Sequence, residues 1–282
     1  MAVQSHWFNV GRTAPWTRFR VGAVVTQALT DPSYGWRGLE AMAEGRSPAE
    51  ALDDLLRADP DADRRQVAFI DTTGTVAVHT GPGCIRYADH IVGDDWAVLG
   101  NLLATDAVVP AMAEAFPAAA GTLAERMVAT LEAAEKNGGD LRGVQSAAVR
   151  IVPGRDDLEG GLEAGIEISV ADHSDPIGEL KRLVAVDRSY RALRRAESAL
   201  DEGSRAEALQ QLALADRLRH GVELDFWRSV ALARSGEVDE ARVVMAQVVA
   251  DAPQFGEVLR RLAEVDPVAV ALLPPGRDAG PS

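Results

Sequence analysis

The segment Gly138-Gly139-Asp140-Leu141-Arg142-Gly143-Val144-Gln145-Ser146 carries a carboxylate, a guanidinium and an amide into an apolar run, punctuated by glycines. Glycine tolerates positive φ and close backbone approach, as a turn facing a substrate requires. Asp140, Arg142 and Gln145 are therefore candidates for positioning a substrate; equally, Asp140 and Arg142 can pair or cap helix ends. Other polar residues sit at strand ends and turns: Ser5-His6-Trp7, Thr26-Gln27, Thr80-Gly81-Pro82-Gly83-Cys84 and Gly100-Asn101. Ser5 and His6 join the pocket candidates. The sequence holds no phosphate-binding glycine loop, no HExxH and no GxSxG. Its histidines, His6, His79, His90, His173 and His220, never stand three or four residues apart, so no local metal site is expected and no cofactor is implied. Cys84 is the single cysteine, which excludes an intramolecular disulfide framework and a cysteine-based zinc site.

The elements that must carry these residues follow from periodicity and punctuation. Ala2 to Phe8 and Val21 to Ala28 read as strands. A short helix over Gly35 to Gly45 precedes one opened by Ser47-Pro48-Ala49-Glu50, a capping serine with its glutamate three residues on. Gln66 to Asp71 and Thr75 to Thr80 flank Asp71-Thr72-Thr73-Gly74, a hairpin signature. A strand between Asp95 and Asn101 precedes helices over Ala107 to Phe116 and Thr122 to Lys136. Gln145 to Val152 and Gly165 to Asp172 then pair across an acidic, glycine-rich turn, and Asp175-Pro176 opens a helix reaching Val184. The order ββααβββααββα has adjacent hairpins rather than strict alternation, which predicts antiparallel sheet with helices in blocks.

Beyond Val184 the strand signal ends. Helical periodicity covers Tyr190–Leu200, Ala206–Leu218, Leu224–Arg234, Val238–Val249 and Phe255–Leu262. Gly203 and Gly236, Ala208 and Ala241, Leu212 and Met245, and Ala215 and Val248 each stand 33 residues apart, close to a helix–turn–helix period of about 34 residues. That period, with Ser229, Leu232, Gly236, Ala241, Met245, Val248 and Pro253, resembles the tetratricopeptide (TPR) family. Asp225 and Arg228 depart from it, and His220 stands where a proline is usual. The reading is three parts: residues 1–184 as an α+β domain, 185–266 as TPR-like hairpins, and 267–282 as a flexible tail.

Composition bounds the rest. The chain has 282 residues, is 47% hydrophobic, and carries 43 acidic against 29 basic side chains for a net charge of −14. That surface repels phosphate backbones and anionic lipid, so neither nucleic acid nor membrane is an expected partner. The start, MAVQSHWFNVGR, has no signal-peptide pattern and no stretch is long and apolar enough to span a bilayer, so a cytoplasmic location is expected.

AVQSHWFNVG, GAVVTQAL, YGWRGL, TGPGC, LGN, GGDLRGVQSAAV and VADHSDPIGEL, in this order, resemble the DUF1028 family. This bacterial and archaeal group of uncharacterised proteins is assigned to the N-terminal-nucleophile (Ntn) hydrolase superfamily. The resemblance spans Met1 to Leu183. It implies a four-layer αββα sandwich and cleavage of an amide-type bond by a mature N-terminal Thr, Ser or Cys. The free α-amine of that residue acts as base, its pKa lying near neutrality. It makes Asn101 the candidate oxyanion donor. Members carry Thr or Ser directly after the initiator Met, on a strand before the segment that here reads AVQSHWF. In this sequence residue 2 is Ala, which offers no nucleophile. A gene start placed at an internal Met is the favoured explanation, with a non-catalytic relative and cleavage before Ser5 as alternatives. Tyr87-Ala88-Asp89 replaces the family's Trp-Ala-Gly, and Ser169 replaces an arginine common in the strand before Asp172-His173.

The expected function is thus an Ntn-type amidohydrolase for a small amide, imide or lactam, of low or absent activity as sequenced. The alternative is a non-catalytic Ntn-like scaffold that binds a protein partner through its helical repeat. A homodimer is expected in either case.

Overall fold

The computed structural model describes residues 1–154, 165–218 and 221–274. The acidic glycine-rich turn, His220 and the last residues of the tail lie outside them. The chain divides into two compact units, Met1–Val184 and Ala185–Ser282.

Among the described residues, the first unit has three antiparallel sheets. One has the order β1-β8-β9, with β1 at Ala2–Ser5, β8 at Ser146–Ile151 and β9 at Ile166–Val170. The second is β2-β3-β4-β5, with β2 at Pro15–Arg18, β3 at Gly22–Ala28, β4 at Arg65–Asp71 and β5 at Val76–Thr80. The third is a hairpin of β6 (Asp89–Val92) and β7 (Ala97–Gly100).

Register decides which side chains meet. Val24 opposes Phe69 and Thr26 opposes Val67, so these four share one face of the second sheet. That face is covered by α2 (Ser33–Ala43) and α3 (Pro48–Ala58), whose Tyr34, Leu39, Leu52 and Leu55 complete a buried cluster. The glycines of α2 make the approach possible. A Cβ on Gly35 would stand 2.2 Å from the Trp16 ring, and one on Gly38 would stand 2.4 Å from the Phe69 ring. α3 starts as its sequence dictates, with the Ser47 and Glu50 side chains each bonded to the other's backbone N–H.

The opposite face of that sheet meets the first sheet, where Val25 of β3 packs on Val3 of β1 and Ala148 of β8. The outer face of the first sheet, with Ala147, Val149 and Val170, is buried by α5 (Leu123–Lys136) and the start of α6 (Pro176–Asp201). Before α5, α4 (Val108–Ala118) packs on both α5 and β7.

Several elements differ from the sequence reading. β1 ends at Ser5, and His6 to Phe8 turn into Asn9, at φ 53°, which leads into the one-turn α1 (Val10–Thr13). β2 begins on a proline, which suits its place at a sheet edge, where a missing N–H costs no ladder bond. β6 carries only Ile91 and Val92 as large aliphatics and has no clean alternation. α6 runs unbroken through Val184, across the division between the units.

The second unit holds the rest of α6, α7 (Arg205–Leu218), α8 (Val222–Arg234), α9 (Val238–Asp251), α10 (Gln254–Ala263) and α11 (Pro267–Val270). Phe226, Leu212, Met245 and Leu259 lie in its core. Residues 267–274, expected as tail, instead fold: Asp266 caps α11, and Ala269 and Leu272 join that core.

Candidate functional site

Between the two larger sheets of the first unit, beside β1, lies a cavity of about 880 Å³. Its walls are largely apolar: Val25 and Ala68 from one sheet, Met127 and Leu131 from α5, Met112 and Phe116 from α4. The polar groups on its lining are fewer. They include Gln4, Ser5, Gln27, Asn101, Asp140 and Arg142. An apolar cleft with a few convergent polar groups is the usual form of a small-molecule site.

Asp140 organises one end. The backbone forms an isolated bridge from Leu103 to Asp140 and then turns through Gly143 at φ 98°. This turn aims the Asp140 carboxylate back at β1. Oδ1 accepts from the Arg142 backbone N–H (2.9 Å) and Nε (3.0 Å); Oδ2 accepts from Arg142 Nη2 (2.7 Å) and the His6 N–H (3.2 Å). Ser5 Oγ lies 3.4 Å from Oδ2 and 3.3 Å from Arg142 Nη2. Burial alone pushes the Asp140 carboxyl up. The bonds from Arg142 and His6, with the guanidinium charge, more than reverse this and hold it below the usual range. The carboxylate is thus ionised, with its side chain only 8% exposed, while that of Arg142 is 39% exposed at the cavity mouth.

Asn101 is held differently. It follows β7, and Leu102 behind it takes φ 57°. Its Nδ2 donates to Gln66 Oε1 (3.1 Å), which also accepts from Gln27 Nε2 (2.8 Å). Gln66 Nε2 in turn reaches Thr80 Oγ1 (3.0 Å) and the carbonyls of Asp89 (3.0 Å) and Gly100 (2.9 Å). This fully buried amide therefore ties β4 to the β6–β7 hairpin and fixes Asn101. One Nδ2 hydrogen of Asn101 is used in that network and the other is available to a ligand carbonyl.

Of the residues singled out in the sequence, Ser5, Asn101, Asp140 and Arg142 line the cavity together, whereas His6 and Gln145 are not on its lining. Gln145 turns away: its Nε2 donates to Asp172 Oδ1 (3.2 Å), and its carbonyl accepts from the His173 N–H (2.8 Å). His6 contributes its backbone N–H to Asp140. Gln4, Gln27 and Gln66 had no signal beyond a polar residue in or at the end of an apolar strand. At the other end of β1 the Met1 α-amine donates to the Arg150 carbonyl (2.6 Å), and burial lowers its pKa to about 5. Among the described residues, no three His, Cys, Asp or Glu side chains gather as metal ligands. Among the described residues, no helix is long and apolar enough to cross a membrane.

A family model described as a family of unknown function, DUF1028, matches residues 1–180. The crystal structure of the DUF1028 protein SPO2555 from Silicibacter pomeroyi is similar, with 26% sequence identity and a TM-score of 0.57. The match covers 65% of this chain and 80% of that one. No curated protein matches.

Proposed function

This chain belongs to the DUF1028 family, and on that premise we propose that its first unit binds a small amide, imide or lactam in an Ntn-hydrolase-type fold. The observation that carries this reading is the convergence of Ser5, Asn101, Asp140 and Arg142 on one apolar cavity. The succession of α2 and α3, one sheet, the facing sheet, and α5 with α6 supports the αββα reading.

In this site the ligand's apolar body fills the space between Val25 and Leu131. Its carbonyl oxygen accepts from Asn101 Nδ2, the group placed to stabilise an oxyanion if the carbonyl is attacked. The Asp140–Arg142 pair sets the orientation of the ligand's polar end, with Arg142 able to donate from the mouth. The resemblance puts the nucleophile on a strand before the segment that here begins at Ala2, and Ala2 itself offers none.

Isothermal titration and thermal shift with a panel of small amides, imides and lactams test this. Saturable binding weakened about tenfold by Asn101→Ala, one lost hydrogen bond in a desolvated site, is the expected result. Binding indifferent to Asn101→Ala and to Asp140→Asn sinks the assignment.

The second unit fits a TPR-like module. Gly203 and Gly236 occupy equivalent turns at φ 78° and 91°. The pairs Ala208 and Ala241, Leu212 and Met245, and Ala215 and Val248 are buried alike. We read it as two degenerate hairpins available to a protein partner.

A further inference from the structure

A row of polar side chains crosses the end of the second sheet. Gln27 of β3 stands opposite Gln66 of β4, and Gln66 opposite Thr80 of β5. Side chains alternate along a strand, so with Val67 buried against α2 and α3 the Gln66 row lies on the other face, with Val25 and Ala68. None of these residues lies on β1 or pairs with it. Gln66 Nε2 meets the Asp89 and Gly100 carbonyls, which only accept, so its Oε1 must be the atom that meets Gln27 and Asn101. Both of those amides are thereby made to present nitrogen to one shared oxygen, Gln27 Nε2 at 2.8 Å and Asn101 Nδ2 at 3.1 Å. Each keeps one N–H and its whole carbonyl. Among the described residues, neither Gln27 Oε1 nor Asn101 Oδ1 has a protein donor. Both side chains are half-buried and line the cavity.

Resting on the proposed function, we infer that Gln27 makes this site selective for an amide with a free N–H, such as a lactam or an imide. The ligand carbonyl accepts from Asn101 Nδ2 while its N–H donates to Gln27 Oε1. A lactone, an ester or a carboxylate offers acceptors alone. It can use Asn101 Nδ2, but it sets a lone pair against Gln27 Oε1 where the lactam has a hydrogen. Turning the Gln27 amide over, to offer nitrogen there instead, places its oxygen against Gln66 Oε1. Gln66 cannot turn in compensation without leaving the Asp89 and Gly100 carbonyls bare, the second of them on a buried residue. Two backbone carbonyls thus fix, through a chain of amides, which atom Gln27 shows to a ligand. A site that hydrogen-bonds a ligand N–H rejects the analogue lacking it far more strongly than an apolar pocket rejects a small change of shape.

The test titrates the native chain with three probes of one shape: phenylpyrrolidinone, its N-methyl derivative and the lactone of the same ring size. The lactam is expected to bind about tenfold more tightly than either analogue, or better. Gln27→Leu is expected to cut that preference to under about threefold, whereas Asn101→Ala weakens lactam and lactone by the same factor and leaves their ratio standing. The ratio is the readout because a loss of packing alone moves all three probes together. Equal binding of lactam and lactone by the native chain overturns the role of Gln27, with no demand on how a variant folds, and leaves the proposed function standing. A preference that persists in Gln27→Leu also overturns it. No saturable binding of any probe removes the proposed function and the role of Gln27 with it.

Discussion

Replacing Gln66 by leucine tests whether a single buried amide holds the site together. The side chain is fully buried, donates to Thr80 Oγ1 and to the carbonyls of Asp89 and Gly100, and accepts from Gln27 and Asn101. Leucine preserves most of the volume, so the change is one of polarity. The five partners do not lose equally. Gly100 is buried, and its carbonyl carries a desolvation penalty of about 1–3 kcal/mol when left without that donor. Asp89 is exposed, Thr80 Oγ1 keeps its 2.9 Å bond to His90 Nδ1, and the Gln27 and Asn101 amides line a cavity that water can enter. Each of those four then forfeits only a net bond of about 0.5–1.5 kcal/mol, part of which the added apolar side chain offsets. The two hydrogens of Gln66 Nε2 are shared among three acceptors, so these bonds count at the low end of their range, and the expected loss is about 3–4 kcal/mol for the first unit. Urea unfolding followed by tryptophan fluorescence measures it, since Trp16 and Trp96 lie in that unit. Hydrogen exchange at Gly100 and Asn101 should accelerate in parallel, and amide ligands should bind less tightly. A loss under about 1 kcal/mol with unchanged exchange would refute the hub, because it would mean these groups find equal partners without Gln66.

Two further predictions concern the same unit. Asp59 accepts from Arg65 Nε (2.7 Å) and Tyr34 Oη (3.0 Å) with its side chain 10% exposed, and the Arg65 bond is the main reason its pKa falls to about 2. A depressed carboxylate stabilises the fold above its ordinary pKa of 3.8 and loses that contribution as pH falls towards 2. Asp59→Asn should therefore cost about 2–4 kcal/mol at pH 7, and the gap to the native chain should close below about pH 4 in urea midpoints; a gap constant down to pH 2.5 contradicts the pairing. Gly38→Ala places a methyl group 2.4 Å from the Phe69 ring, so it should destabilise by about 1–3 kcal/mol despite the better helix propensity of alanine. A rise in Tm would show that α2 can lift off the sheet at little cost.

The elements legible in the sequence were those whose signal is local. Ser47 with Glu50 and Thr122 with Glu125 both form capping boxes, because the N-cap chemistry needs nothing beyond four consecutive residues. What failed was set by tertiary partners. His6 to Phe8 continue an apolar-looking strand on paper, yet the chain turns there because the His6 N–H goes to Asp140 and the Trp7 carbonyl accepts from Ser146 Oγ. Neither partner lies within a hundred residues. β2 was hidden by its opening proline, which argues against a central strand but is harmless at an edge.

The site divides along the same line. Asp140 and Arg142 were visible because a glycine-flanked acid and base two residues apart are unusual; of the alternatives left open for them the structure shows the pairing, and both residues also line the cavity. Gln145 shares that loop but also opens the path into β8, and pleating sends it to Asp172 instead. Gln66 carried no signal at all, since one amide beside an apolar run reads as an ordinary strand end. Its importance lies in partners brought from β5, β6 and β7, and only the fold creates that meeting.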